Sequence, residues 1–190
     1  MRKFLLVFCL LFPAPSILAA QSAPAPAPNW RDRVADAMPL LGHRNWILIV
    51  DSAYPLQSGP GIETIETDAN QLEVIRHVLG AIDRSAHVRP LVWLDAELPF
   101  VPEQDAPGVA AYRNEIHDLL NPFPVQSLPH DQIIANVEEA SKHFNILVLK
   151  TTMTVPYTSV FIRLDCKYWS ADAEKRLRDR MARTPNSVPQ

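Results

Sequence analysis

The chain has 190 residues, with 18 Lys and Arg against 21 Asp and Glu, a formal net charge of −3. It holds no Lys/Arg stripe or basic run of the kind that neutralises phosphates, which argues against a nucleic-acid partner.

Residues 1–20 have the layout of a secretory signal peptide: Arg2 and Lys3, then the apolar "FLLVFCLLF", then small residues in "ILAAQSA". The apolar run is too short to span a bilayer comfortably, so the expectation is an exported, secreted or periplasmic protein with no membrane association after cleavage near Ala20. The mature chain then keeps sixteen basic side chains against twenty-one acidic ones, a formal charge of −5. It also keeps only Cys166, so an intramolecular disulfide is excluded. Residues 21–29 form an Ala/Pro-rich linker, extended because proline fixes φ and removes a donor. The rest suits one domain, residues 30–169, followed by a charged helix or tail, residues 170–190.

"NWRDRVADAMPLLGH" (29–43) predicts a helix, with Val34, Met38 and Leu41 at helical spacing and Gly42 as its stop. "WILIVD" (46–51) is continuously apolar and predicts a strand buried on both faces. After the Pro/Gly/Ser loop "SAYPLQSGPG", the alternating "IETIETD" (62–68) predicts a half-exposed strand. "ANQLEVIRHVLGAIDRS" (69–85) places Leu72, Ile75, Val78, Leu79 and Ile82 on one helical face. "RPLVWLDAE" (89–97) predicts a strand, residues 98–107 a proline-rich loop, and "GVAAYRNEIHDLLN" (108–121) a helix ended by "PFP". A helix in "HDQIIANVEEASKHF" (130–144), a strand in "NILVLKT" (145–151) and a strand in "SVFIRLDCKYW" (159–169) follow. The last predicted element is a terminal helix capped by Ser170. Strands alternating with helices argue for an α/β layered domain with a mostly parallel or mixed sheet.

No CxxC pair, HExxH, nucleophile elbow or GxGxxG follows the spacing its chemistry needs, so neither a metal nor a cofactor is expected. Isolated histidines, carboxylates and tyrosines remain, and their common talent is moving protons. The sharpest placement is "LGHRNWILIVDSAYP" (41–55), where His43 and Asp51 stand at the two ends of one apolar strand. Strand ends are where α/β folds put their sites.

That stretch resembles the signature of the D-ribose pyranase and L-fucose mutarotase family (RbsD/FucU). The family shows Gly-His, an apolar strand, then Asp-Ala leading to Pro; Gly42, His43, Asp51 and Pro55 fit its spacing, with Ser52 for the alanine. "LKTTMTVPYTSVFIRLD" is similar to the family's closing Arg-x-Gly-Glu-x-x-Pro-Tyr-Ala-Asn and strand: Pro156 and Tyr157 match, Lys150 falls at the arginine and Ser159 at the asparagine. "LPHDQI" places His130 at the family's second histidine. The likeness runs from about Trp30 to Leu164, and residues 98–125 have no counterpart.

The resemblance implies an RbsD-like layered α/β/α domain with a mixed central sheet that interconverts anomers or ring forms of a free monosaccharide. His43, Asp51, His130 and Tyr157 would be catalytic, with Lys150 and Ser159 binding substrate and Asp51 orienting the imidazole of His43. It also implies homo-oligomers built from pentamers or decamers, with sites near subunit borders. The departures at Lys150, Ser159 and "TTM" keep a second expectation in play, a non-catalytic sugar-binding member of the same fold in the periplasm.

Overall fold

Local chemistry sets the element boundaries in the computed structural model, which describes residues 29–183. The expected signal peptide, residues 21–28 of the linker and residues 184–190 of the tail lie outside the described residues. Helix α1 (Trp30–Ala37) starts where the Asn29 side chain accepts the Arg31 N–H. It stops short of the expected end because Pro39 has no N–H to carry the ladder on. Strand β1 (Trp46–Val50) is buried at every position, as its unbroken apolar run requires.

Strand β2 (Ile62–Glu66) and helix α2 (Gln71–Arg84) follow, the helix capped by Asn70 accepting the Leu72 N–H. Strand β3 (Val88–Asp95) leads through a short 3-10 turn at Leu98–Phe100, inside the expected loop, to helix α3 (Val109–Leu120). Strand β4 (Val125–Leu128), helix α4 (His130–Ser141), strand β5 (Ile146–Lys150), strand β6 (Val160–Cys166) and helix α5 (Ala171–Arg183) complete the order. Ser170 caps α5 as expected, its Oγ accepting the Ala173 N–H.

The six strands form one sheet in the order β2-β5-β1-β6-β3-β4. β2, β5 and β1 are mutually parallel, as are β3 and β4, while β6 runs antiparallel to both of its neighbours, β1 and β3. Helices α1, α2 and α3 pack on one face against Ile47, Ile49, Leu147 and Ile162. On the other face Ile133 and Val137 of α4 pack against Trp46, Leu48, Val148 and Phe161. The result is the layered α/β/α domain with a mixed sheet that the resemblance implies.

This direction pattern decides where chemistry can gather. Five strands deliver their C-terminal ends to one edge of the sheet, and β6 starts from that same edge. Residues that follow β1, β3, β4 and β5, or precede β6, therefore meet there. Residues that precede β1 or close β6 meet at the opposite edge.

Candidate functional site

At the first edge, an open hollow of about 500 Å³ is lined by Asp51 to Pro55, His130 and Thr154 to Tyr157. Three of the expected site residues, Asp51, His130 and Tyr157, thus come together although they span more than a hundred positions of sequence. The loop after β1 is shaped by Asp51 itself, whose Oδ1 accepts the Ala53 N–H at 2.8 Å in a local turn. Ser52 then donates its N–H to the Met153 carbonyl, tying this loop to the one that follows β5.

Tyr157 sits with φ +58°, a left-handed conformation that costs a non-glycine residue roughly 1–2 kcal/mol. Its neighbour holds it there. The Thr158 carbonyl accepts from the Tyr112 hydroxyl and from Gln71 Nε2, both at 2.8 Å, and Thr158 Oγ1 donates to the Val155 carbonyl. Strain kept in place by buried hydrogen bonds is a recurring mark of positions that serve a site. The Tyr157 ring meets His130 edge-on, with centroids 5.8 Å apart.

His130 opens α4 and is gripped at two points by residues leaving β3. Both Glu97 carboxylate oxygens accept its backbone N–H, at 3.0 and 3.1 Å, serving the helix terminus that Pro129 has no side-chain oxygen to cap. Its Nδ1 lies 3.0 Å from Oδ1 of Asp95. Asp95 is 1% exposed, and its Oδ2 has no hydrogen-bond partner among the described residues. Burial pushes the Asp95 carboxyl up to about 6, helped by Glu97 and Asp51 and opposed by the His130 contact. The Tyr54 hydroxyl is pushed up to about 12, chiefly by burial and then by Glu138, Asp95 and Asp51, so it stays a neutral donor.

His43 lies elsewhere. It precedes β1, so it occupies the opposite edge, in a depression lined by Arg44, Trp46, Trp93 and Arg163. The expected pairing of His43 with Asp51 does not occur within the chain: five strand residues at about 3.3 Å each separate the two edges. Instead, His43 Nδ1 faces Asp165 Oδ1 at 3.1 Å, and its Nε2 accepts from Arg44 Nε at 3.2 Å. Asp165 is clamped by Arg89 through Nε and Nη2 on Oδ2. Burial works upward on that carboxyl, but the Arg89, Cys166 N–H and His43 contacts outweigh it and hold it low.

The two expected substrate-binding residues flank the hollow without lining it. Lys150 closes β5 in register with Val50, and Ser159 is only 2% exposed. Asp95 is a site residue that no motif in the sequence marks. A strand-end signal was present, since "LVWLD" ends an apolar strand in an aspartate just as "WILIVD" does.

Among solved structures, the chain is similar to RbsD from Bacillus subtilis complexed with D-ribose, at 16% identity, over 69% of this chain and 89% of that one, with a TM-score of 0.50. It is also similar to the fucose mutarotase from Streptococcus pneumoniae in complex with L-fucose, at 16% identity over 67% and 87% of the two chains, TM-score 0.47. FucU from Bifidobacterium longum matches at 18% identity over 70% and 92%, TM-score 0.46. No protein-family model and no curated protein matches the chain. The fold is of the RbsD/FucU kind.

Proposed function

We propose, from a fold of the RbsD/FucU kind, that this chain is an exported, cofactor-independent monosaccharide mutarotase or pyranase. The observation that carries the reading is the convergence of Asp51, His130 and Tyr157 on one open hollow at the C-terminal ends of the parallel strands. That the B. subtilis neighbour was solved with D-ribose supports a free sugar as the substrate class.

The chemistry needs two proton transfers. A base takes the proton of the anomeric hydroxyl as the bond from the anomeric carbon to the ring oxygen breaks, and an acid gives a proton to that oxygen. The open-chain aldehyde rotates, and the reverse steps close the ring on its other face or through another hydroxyl. Histidine suits these exchanges because both of its forms are accessible near neutrality. His130 takes the central role, since among the described residues only one of its ring nitrogens is engaged. Tyr157 and the neutral Tyr54 hydroxyl serve as donors to sugar oxygens, and Asp51 as an acceptor. Positioned acid–base groups contribute roughly a hundred- to ten-thousand-fold, enough for a reaction that already proceeds slowly in water.

His43 enters the reaction only across a subunit border. A homo-oligomer in which the His43 edge of one copy meets the hollow of the next would complete the set, and sedimentation of the mature chain tests for it. The second reading, a non-catalytic sugar-binding protein, is favoured by one observation: Ser159 is buried, so the hollow lacks the polar group expected there.

Saturation-transfer NMR with ribose, fucose, galactose and glucose separates the two. Faster anomeric exchange for at least one sugar, abolished by His130→Ala, supports the enzyme. Binding without faster exchange for any sugar supports the alternative.

A further inference from the structure

The two histidines differ in what their ring nitrogens do. In His43, Nε2 accepts from a guanidinium, so Nδ1 carries the proton and donates to Asp165; within one chain both nitrogens have partners. In His130, Nδ1 faces Asp95 and Nε2 has no partner among the described residues.

We propose that Asp95 is a positioning residue: it holds the Nδ1–H tautomer of His130, so that Nε2 is left as the basic nitrogen of the hollow. In its kinetic arm this deepens the sugar-isomerase reading and rests on it. Its structural arm does not.

The geometry allows two ways to fill the 3.0 Å contact. Either an ionised Asp95 accepts from Nδ1–H, or a protonated Asp95 donates to a bare Nδ1. Two considerations choose the first at neutral pH. Burial pushes the carboxyl up only to about 6, below neutral pH, which favours its anion there. Among the described residues Oδ2 has no donor, so Nδ1–H is the one hydrogen bond they give to a carboxylate buried to 1% exposure. A buried anion with a single donor holds that donor tightly, because losing it would leave the charge without compensation.

The imidazole also has little freedom to turn away. Glu97 fixes its backbone N–H, the Tyr157 ring meets it at 5.8 Å, and the fully buried Phe161 ring meets it at 6.3 Å. The end of β3 and the turn after it therefore supply two carboxylates with separate tasks, Glu97 for the main chain of His130 and Asp95 for its side chain. Choosing the tautomer this way places the lone pair without an added charge beside the sugar.

The test is nitrogen-15 NMR of the imidazole at neutral pH, on the wild-type protein and on Asp95→Asn. In the wild type the proton is expected on Nδ1, with Nε2 in the proton-free range. In Asp95→Asn the amide NH2 donates to Nδ1 and moves the population toward Nε2–H. Anomeric exchange should then fall about a hundred-fold or more, with sugar affinity unchanged. A proton on Nε2 in the wild type overturns the assignment without recourse to any variant. An Asn variant with the wild-type tautomer and wild-type rate overturns it too. If the wild type accelerates no sugar's exchange, the proposed function fails, and the imidazole spectrum alone decides the role of Asp95.

Discussion

Asp95 should leave a signature in the pH dependence of stability. Its carboxyl moves from an ordinary value of 3.8 to about 6 in the folded chain, burial being the main cause. Between about pH 4 and 6 the folded state therefore binds more protons than the unfolded state. Stability from this group is present in full below the unfolded value and is lost as pH rises through the folded one. A shift of about two units corresponds to ~3 kcal/mol. Asp95→Asn keeps the shape and removes the titration, so subtracting its curve from that of the wild type cancels the carboxylates and histidines that do not couple to the site.

The assay is urea unfolding followed by tryptophan fluorescence, since Trp30, Trp46 and Trp93 are buried and report on loss of the core. The stability of the wild type relative to Asp95→Asn should decline by ~3 kcal/mol between about pH 4 and 7, at constant m value. A difference that stays flat, or that grows with pH, would refute the reasoning. It would mean that pairing with His130 outweighs burial and holds the carboxyl at or below its ordinary value.

Phe161 is fully buried on the central strand β6 and meets His130 edge-on, so Phe161→Ala should cost about 3–5 kcal/mol in the urea midpoint. A variant within about 0.5 kcal/mol of wild type would show that the core closes over the gap, against the close packing of interiors. Mixing His43→Ala with His130→Ala after joint unfolding and refolding should restore part of the sugar exchange that each lacks alone, since some borders then pair an intact His43 with an intact hollow. No recovery, with each variant assembled normally, would remove His43 from the chemistry.

Most of the architecture could be read from side-chain pattern, because burial on two faces leaves no room for polar residues. Trp46–Val50 shows this most plainly: five apolar residues in a row became five buried positions. Strand β4 escaped notice for the converse reason. Its residues Val125–Leu128 are mostly exposed at the sheet edge, so neither alternation nor an apolar run marks them. Helical spacing runs past the end of α1, because Met38 and Leu41 keep it and are indeed buried, although Pro39 has no N–H to continue the ladder. Burial and helicity are separate facts, and periodicity reports only the first.

The site was legible only in part, and strand direction explains which part. A single strand always carries its two flanking residues to opposite edges, so His43 and Asp51 were bound to be far apart in one chain, however close in sequence. Distant residues meet more readily. Asp51 and His130 follow parallel strands, Asp95 ends one, and Tyr157 precedes the antiparallel strand, which returns it to the same edge. The antiparallel insertion of β6 between β1 and β3 is thus what lets a phenol from late in the sequence reach the histidine at the start of α4. Sequence pattern specifies that β6 is a strand, but its direction relative to β1 follows from the order of the sheet, which no local run of residues encodes. The carboxylate behind the histidine was hidden for the same reason: Asp95 becomes a partner of His130 only once β3 and β4 lie side by side in parallel, with Asp95 in register with Leu128, two residues before the helix begins.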